Sequence, residues 1–370
     1  MTTIADIVRR HGADYVGRFG GRMPPSHLRA LADIASCGTP SRGGHLLKCD
    51  DCGRREFIYL SCRNRACPRC HAKQTADWTA ARTGELLPVR YHHTVVTLPS
   101  ELREPARHAQ KIFLAELMEA AAEAVQDLAL DPRFAGGRIA VLALLHTNTR
   151  ALVWHPHVHL LIPGIAVDTA GGLHRMAPRF LVPVRCLSEI FRAKLAERIR
   201  RRMPGSGFPG AAWRKKWVVF SRPCLEGSQA VLKYLARYVS RGPLSDYAII
   251  SAGDSHVTFR YTDNRTGESR IVTLSPAEFL RRYLQHTLPR GFHRVRYYGL
   301  WAPASRRTLR TLQLALAASR PPPKAEEVPA QPQKQGPRPC PNCGSVHLSV
   351  IGRLLPHPFL WQPLNRGPPA

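Results

Sequence analysis

Hydrophobic and polar positions follow two different periods along the chain, and the shorter period predicts strands. The run Arg90–Pro99 is rich in valine, threonine and aromatic residues, which favour the pleated β conformation. Arg138–His146 and Ala151–Ile162 are two further apolar runs, separated by the polar residues Thr147–Arg150. Because a short polar turn joins them, these two runs predict a β-hairpin.

The longer, helical period occurs between these runs. We expect Pro105 to begin a long helix that ends near Leu130, and Leu187–Arg202 predicts another helix. The segment Ser275–Glu278 is typical of a capping box that opens a further helix. Additional strands are predicted at Trp217–Ser221, Tyr247–Ser251, His256–Tyr261 and Arg270–Leu274. Strands interspersed with helices and joined partly by hairpins predict an α+β fold with a largely antiparallel sheet.

The composition indicates a partner and a compartment. Lysine and arginine number 54 against 26 acidic residues, which gives a formal net charge of +28. A surplus of this size is typical of proteins that bind nucleic acid. No apolar run reaches the roughly 20 residues of a membrane span, and the first residues do not resemble a signal peptide. We therefore expect a cytoplasmic protein, associated with the nucleoid when bound to DNA, whose ten cysteines bind metal rather than form disulfides.

Two Cys-x2-Cys knuckles lie in the first 88 residues, Cys49/Cys52 and Cys67/Cys70, separated by fourteen residues. Two knuckles at this spacing are typical of a four-cysteine structural zinc site, so these four cysteines are the predicted zinc ligands. The residues left over, which leave a second ion or an exchanged ligand open, are Cys62, His71, His45 and Cys37.

Basic residues crowd the second knuckle. A zinc module that holds a basic surface rigid is suited to docking on DNA, whereas a merely solvated basic face is the alternative interpretation. The predicted DNA contacts here are Arg63, Arg65 and Arg69.

The strand Trp154–Pro163 carries histidines at alternate positions: His155, His157 and His159. Residues two apart in a strand share a face, so these three imidazoles are expected on one side of the sheet. Packing alone explains such a row poorly, because each ring nitrogen needs a partner. A divalent metal would supply that partner.

The predicted hairpin adds a fourth histidine to this face. His146 lies on the preceding strand and is expected to reach the same side as His157 and His159. Three neutral imidazoles would hold a metal and leave coordination sites open for a substrate. His155 is the competing third ligand, or else a group that contacts phosphate.

The segment from residue 231 to residue 241 predicts an amphipathic helix with two tyrosines one turn apart, Tyr234 and Tyr238. Tyrosines at the edge of a core often have no further role. Beside a histidine metal site in a basic chain, however, a phenol can attack phosphorus and form a covalent phosphotyrosine. The basic arc of the same helix, a candidate DNA contact, consists of Lys233, Arg237 and Arg241.

These residues carry a resemblance to known proteins. His157-Val158-His159 resembles the histidine–hydrophobe–histidine motif of HUH endonucleases, and the two tyrosines resemble their tyrosine helix. More closely, the chain resembles the two-tyrosine rolling-circle transposases of the insertion-sequence ninety-one family. The matching stretches, in the family's order over about residues 40 to 302, are Gly44–Cys52, Ser61–Cys70, Thr97–Pro99, His155–His159, Tyr234–Tyr238 and Leu288–Gly299.

The resemblance implies a ferredoxin-like antiparallel HUH nuclease core behind an N-terminal zinc-binding domain. It implies a transposase that nicks single-stranded DNA at the element's ends: one tyrosine takes the 5′-phosphate and the other serves the joining step. His157 and His159 would be the metal pair, Tyr238 and Tyr234 the nucleophiles, and His146 resembles the third histidine of relaxases. The implied cofactors are Mg²⁺ or Mn²⁺ for catalysis and structural Zn²⁺. The implied partners are element ends and target DNA, and a homodimer is left open.

The stretch Leu288–Gly299 contributes further basic and aromatic residues. Its arginines are predicted to neutralise phosphates while Tyr297 or Tyr298 stacks on an unpaired base, although an exposed basic strand is an equal alternative. The arginines concerned are Arg290, Arg294 and Arg296.

The expected organisation has four parts. Residues 1–88 are a zinc-binding DNA-docking domain, 89–320 the HUH tyrosine nuclease domain, 321–339 a proline-rich linker and 340–370 a tail with one knuckle. That knuckle, Cys340/Cys343, would be completed by His347 or His357 or would borrow ligands from elsewhere in the chain. Two other functions stay open: a replication initiator or relaxase, and a non-catalytic zinc-dependent single-stranded DNA-binding protein.

Overall fold

The computed structural model describes residues 2–70, 77–78, 82, 84–177, 182–205, 209–223, 242–263, 266–318 and 339–357. Its α-helices are α1 (Ile4–Phe19), α2 (Pro25–Ser36), α3 (Arg103–His108), α4 (Gln110–Leu130), α5 (Val184–Arg202), α6 (Gly210–Arg214), α7 (Pro276–Leu284) and α8 (Arg306–Ala318). Its strands are β1 (Gly44–Cys49), β2 (Arg55–Tyr59), β3 (Tyr91–Thr97), β4 (Arg138–Asn148), β5 (Trp154–Pro163), β6 (Ile165–Val167), β7 (Leu173–Arg175), β8 (Val219–Pro223), β9 (Ile249–Ala252), β10 (Val257–Thr262), β11 (Ser269–Leu274), β12 (Val295–Gly299) and β13 (Leu348–Leu354). The strands described form antiparallel sheets, which confirms the predicted α+β class.

The histidine hairpin lies at the centre of the largest sheet. This sheet has seven strands in the order β7-β6-β4-β5-β3-β8, with β12 paired to β4. Along the chain its main elements follow one another as β3-α4-β4-β5-α5-β8. The hairpin strands β4 and β5 are therefore held on both sides by other strands, which fixes the side chains that they carry.

Helices cover the two faces of this sheet unequally. Apolar residues of α4 and α5, such as Phe113 and Phe191, pack against Val158 and Leu160 on one face of β5. On the opposite face, the alternating positions of β5 carry the histidines and then Leu161, which packs in a separate cluster with residues of α8. The alternation of the strand thus separates a buried core from a polar, histidine-lined half-face.

A smaller unit joins the N-terminal helices to the β9-β10-β11 sheet. Ile4 and Ile7 of α1 share one apolar cluster with Leu31 of α2 and Phe279 of α7. The same cluster contains Cys37, Cys67 and Cys70. Packing across the chain therefore anchors the N-terminal domain directly on the body of the protein.

The last described residues also belong to the N-terminal domain. Strand β13 is the third strand of a sheet with the order β13-β1-β2. Residues 340–354 are thus not a separate tail, which corrects the expected organisation of this end of the chain.

Two helix predictions need correction. The helix expected from Pro105 begins at Arg103 and is interrupted at Ala109, whose φ of −119° and ψ of 45° separate α3 from α4. The capping box at Ser275 is only half formed: its hydroxyl accepts from the Glu278 amide at 3.3 Å, but the Glu278 carboxylate turns to Arg281 and Arg282. No helix in the part of the chain that the structure describes is long and apolar enough to span a membrane.

Candidate metal centres and nuclease site

Three of the predicted histidines come together on the central hairpin. His146 of β4 lies directly opposite His157 of β5 in the strand register. Ligand nitrogens of His146, His157 and His159 all lie within 4.8 Å of one another. The hairpin thus provides a third histidine beside the pair on β5.

Hydrogen bonds fix the tautomer of His157. Its Nδ1 lies 2.7 Å from the carbonyl oxygen of His155. A carbonyl only accepts, so Nδ1 carries the proton and the lone pair of Nε2 is left for a metal. Burial lowers the pKa of His157, which favours the neutral form that a metal requires.

His93 of β3 is a functional candidate that the sequence did not single out. Its Nε2 lies 2.8 Å from Nδ1 of His159, and the two rings stack with centroids 5.1 Å apart. Burial lowers the pKa of His93 to about 3 and that of His159 as well, so both rings are neutral. If Nε2 of His159 binds a metal, its Nδ1 carries the proton and donates to Nε2 of His93. This bond orients His159 and directs its other nitrogen towards the three-histidine cluster.

His155 is not part of that cluster. Its Nδ1 accepts a hydrogen bond from the guanidinium of Arg103, because arginine can only donate. Burial, with the nearby His157 and Arg103, lowers the pKa of His155 to about 4. The structure therefore places His155 beside the three histidines, in contact with an arginine.

The three histidine nitrogens of the cluster indicate which kind of metal ion it would bind. Three imidazole nitrogens form a borderline-soft set, whereas Mg²⁺ prefers oxygen ligands and usually retains several waters. The cluster His146, His157 and His159 therefore fits a divalent transition ion, and of the two predicted catalytic ions Mn²⁺ matches it better.

A basic pocket of about 300 Å³ adjoins this site. The guanidinium of Arg107 lies 5.5 Å from the centroid of the Trp154 ring, and Arg103 connects the pocket to His155. Its basic lining consists of Arg103, Arg107, Arg281 and Arg282. No local sequence pattern indicates this pocket, because these arginines come from α3 and α7, more than 170 residues apart in the chain.

The structure does not bring the four predicted zinc cysteines together. Two separate four-sulfur groups form instead, and within each group all sulfur atoms lie within 4.8 Å. The groups are Cys37, Cys62, Cys67 and Cys70, and Cys49, Cys52, Cys340 and Cys343. The predicted grouping is therefore wrong: each knuckle belongs to a different cluster.

The first group, Cys37/Cys62/Cys67/Cys70, has the dimensions of a zinc site. The sulfur of Cys70 lies 3.6 Å from those of Cys37 and Cys62. A tetrahedron with Zn–S bonds of about 2.3 Å has edges of about 3.8 Å. The knuckle Cys67/Cys70 is joined in this group by Cys62 and by Cys37, which follows α2. Both were left over as possible ligands in the sequence.

The arginines predicted to contact DNA differ in their surroundings. Arg65 donates to the carbonyl of Phe292 at 2.5 Å, and Arg69 lies 3.4 Å from the carbonyl of Cys37. Arg63 has a positive φ of 54° and, like Arg65 and Arg69, is exposed. These three arginines border the first cysteine group, and two of them also donate hydrogen bonds to backbone carbonyls of distant segments.

The arginines of the Leu288–Gly299 stretch also differ. Arg290 is exposed, whereas burial lowers the pKa of Arg294 to about 10. Arg296 lies 2.8 Å from Glu119, and the Tyr298 hydroxyl donates to the same carboxylate at 3.0 Å. The remaining predicted residues, Tyr234, Tyr238, Lys233, Arg237 and Arg241, lie outside the described residues.

Comparisons with known families match most of the chain. Residues 7–98 match the family described as "Transposase zinc-binding domain", and residues 140–308 match the family described as "Putative transposase". No solved structure matches the chain significantly.

Two relatives support the same assignment. The chain is 36% identical to "Putative transposase y4qJ" of Sinorhizobium fredii over 316 residues, which cover 80% of this chain and 79% of the relative. It is 27% identical to "Transposase for insertion sequence element IS801" of Pseudomonas savastanoi pv. phaseolicola over 298 residues, or 76% and 72% of the two chains. Fold, cysteine clusters and comparisons together define a transposase with an N-terminal zinc-binding domain. The chain belongs to the insertion-sequence ninety-one family.

Proposed function

We propose that this transposase nicks single-stranded DNA at the ends of its insertion sequence and rejoins strands through a 5′-phosphotyrosine intermediate. The observation that carries the proposal is the three-histidine cluster, with nitrogens of His146, His157 and His159 within 4.8 Å on adjacent strands. A transposase needs a site that activates a phosphodiester, and a cluster of neutral imidazoles beside a basic pocket suits that task.

The surrounding residues support this role. A divalent ion held by the three histidines, Mn²⁺ or Mg²⁺, would polarise the scissile phosphate. The carbonyl of His155 fixes the tautomer of His157, and the imidazole of His93 holds the ring of His159 in its orientation. The site is thereby ordered before the DNA arrives, which reduces the reorganisation needed during the reaction.

The nucleophiles are proposed from the resemblance to the tyrosine helix of HUH endonucleases. The phenolic oxygen of Tyr238 or Tyr234 attacks phosphorus, the bond from phosphorus to the 3′-oxygen breaks, and the departing 3′-oxygen takes up a proton. The phenolic proton leaves to solvent. The 5′-phosphotyrosine conserves the phosphodiester bond until a 3′-hydroxyl attacks it in the joining step.

The basic pocket is the proposed path of the DNA strand towards the histidines. Arg103 and Arg107 would neutralise backbone phosphates, and Trp154 provides an apolar wall beneath Arg107. The exposed Arg63, beside the first cysteine group, suits the proposed DNA-docking role of the N-terminal domain. The β-α-β-β-α-β succession of the core, with strands in the order β8-β3-β5-β4, supports a ferredoxin-like HUH fold.

The test is an adduct assay. The protein is incubated with labelled single-stranded DNA from an element end and with Mn²⁺ or Mg²⁺, then denatured and separated by electrophoresis. We expect a denaturation-resistant protein–DNA adduct that Tyr238→Phe or Tyr234→Phe reduces. The double variant His157→Ala/His159→Ala should abolish the adduct while preserving most of the salt-sensitive DNA binding.

Absence of an adduct with every metal would refute the enzymatic proposal and favour a non-catalytic DNA-binding protein. Equal loss of binding and adduct in the histidine variant would show that these residues are structural. His174→Gln is a matched control, because His174 is exposed and pairs with Asp168 away from the cluster.

A further inference from the structure

The second cysteine group, Cys49/Cys52/Cys340/Cys343, joins residues from the two ends of the chain. The Cys49 sulfur lies 3.6 Å from that of Cys343, and the Cys52 sulfur lies 3.7 Å from that of Cys340. These distances match the edge of about 3.8 Å expected for a ZnS₄ tetrahedron. They are far longer than the roughly 2.04 Å of a disulfide, and all four sulfurs lie within 4.8 Å of one another.

The two knuckles of this group have the same backbone geometry. The Gly53 amide donates to the Cys49 carbonyl at 2.9 Å, and the Gly344 amide donates to the Cys340 carbonyl at 2.9 Å. Both glycines have a positive φ, 72° and 76°, which a side chain would oppose. Two knuckles with the same turn that face each other across four sulfurs form a matched pair of metal-binding loops.

The hydrogen bonds donated by the first cysteine of each knuckle are also equivalent. The Cys49 amide donates to the Arg54 carbonyl at 2.8 Å, and the Cys340 amide donates to the Ser345 carbonyl at 2.7 Å. Cys49 and Cys340 are buried, whereas Cys52 and Cys343 are exposed. Each knuckle thus contributes one inner and one outer sulfur.

The backbone beside the sulfurs holds the two ends together. Strand β13 pairs with the whole of β1, from Gly44 opposite Leu354 to Cys49 opposite Leu348. A Cβ at Gly43 would lie 2.5 Å from the Leu354 carbonyl oxygen, so only glycine permits this close approach. The β1-β2 hairpin thereby gains a third strand, which a two-stranded sheet needs for stability.

We propose that Cys49, Cys52, Cys340 and Cys343 bind a second structural zinc ion, which fastens the C-terminal strand to the N-terminal domain. The matched zinc-binding family ends at residue 98, so it includes only half of this ligand set. This ion and β13 together close the chain into a ring, since Cys52 and Cys340 are 288 residues apart.

The test counts thiolate-bound zinc in the full-length protein. A mercurial reagent displaces zinc from thiolates, and a chromogenic chelator measures the released metal. We expect two equivalents from the wild type and one from each of the exposed-ligand variants Cys52→Ser and Cys343→Ser. The double variant Cys52→Ser/Cys343→Ser should also release one equivalent, because both changes affect the same ion. Cys186→Ser, an exposed cysteine outside both groups, should release two.

Hydrogen exchange separates this site from the first one. Peptides that cover β13 should lose protection in Cys343→Ser but keep it in Cys62→Ser, which removes a ligand of the other group. Cys343→His retains a zinc ligand and should restore both the second equivalent and the protection, which excludes misfolding as the cause. The proposal would be overturned by release of one zinc equivalent from the wild type or of two from Cys343→Ser. It would also be overturned if Cys343→His restored neither the second zinc equivalent nor the protection of β13.

Discussion

His93 shows how one buried side chain can hold a proposed metal ligand, His159, in place. It is buried on β3, and its Nε2 lies within hydrogen-bond distance of Nδ1 of His159, at 2.8 Å. A metal-bound imidazole depends on such a partner, because the partner fixes both the tautomer and the ring orientation. His93 is therefore a positioning residue for the three-histidine cluster.

We expect His93→Phe to weaken Mn²⁺ binding by roughly 10- to 100-fold, the usual cost of removing such a partner. Isothermal titration calorimetry of the purified protein with Mn²⁺ measures this change directly. His93→Gln keeps a hydrogen-bond acceptor and should recover part of the affinity. A loss no larger than that of the exposed control His174→Gln would contradict the positioning role.

At the scale of elements, the sequence predicted local patterns well. The hairpin of β4 and β5 was predictable because β-branched and apolar runs flank a polar turn, and the alternation of β5 put its histidines on one face. The grouping of cysteines was not predictable from spacing. Cys49/Cys52 and Cys67/Cys70 have the in-chain separation of a local zinc site, yet each pair is completed from elsewhere.

The reason lies in long-range contacts. The partners of Cys49 and Cys52 come from the knuckle Cys340/Cys343, just before strand β13. The pairing of β13 with β1 depends on tertiary packing and leaves no periodic signal in the sequence. His93 was missed for the same reason, since its contact with His159 requires β3 to lie beside β5 in register. The arrangement of the tyrosine helix stays a prediction.

Helices α4 and α5 are joined by an ion network around Arg198. Its Nη1 donates to Glu123 at 2.9 Å, and its Nε lies 2.9 Å from the carboxylate of Glu116, which is only 10% exposed. Removing one partner of such a pair leaves a poorly solvated charge. The network thus supports the helical layer beneath the histidine hairpin.

We expect Arg198→Met to lower the free energy of unfolding by about 3 kcal/mol, measured by urea denaturation. Adding Glu116→Gln should return part of this loss, because without Arg198 the poorly exposed Glu116 carboxylate is left with the longer pair to Arg202, at 3.4 Å. The exposed pair Arg185–Glu189 on the same helix offers the control Arg185→Met, expected to change stability by less than about 1 kcal/mol. If Arg198→Met and Arg185→Met lowered the free energy of unfolding by similar amounts, the low exposure of the Arg198–Glu116 pair would not explain its contribution.

At the scale of the whole molecule, the net charge of +28 favours association with a polyanion, but individual arginines contribute unequally. Arg296 is paired with Glu119 inside the fold, so its charge is largely balanced. Arg290, a few residues earlier, is exposed. Position in the fold, and not the count of basic residues, decides which of them can neutralise a phosphate.

We expect Arg290→Gln to reduce the slope of log binding constant against log salt concentration by about 0.7, the value for one phosphate on single-stranded DNA. Arg296→Gln should leave that slope unchanged. Fluorescence anisotropy with a labelled oligonucleotide, titrated at several KCl concentrations, provides the comparison. Equal changes in slope would mean that Arg296 reaches the DNA despite its pairing with Glu119.

The two cysteine groups can bind metal only at different times during translation, because the second group needs residues from distant parts of the chain. All four cysteines of the first group are made by residue 70, whereas Cys52 and its partner Cys340 are separated by 288 residues. At about 5–20 residues per second, the ribosome needs roughly 15–60 seconds to cover that distance. The first metal can therefore load on the nascent chain, while the second must wait until Cys340 and Cys343 have been made. A chain that terminates before Cys340 would lack two of the four ligands, so Cys49 and Cys52 would be left without their metal-binding partners.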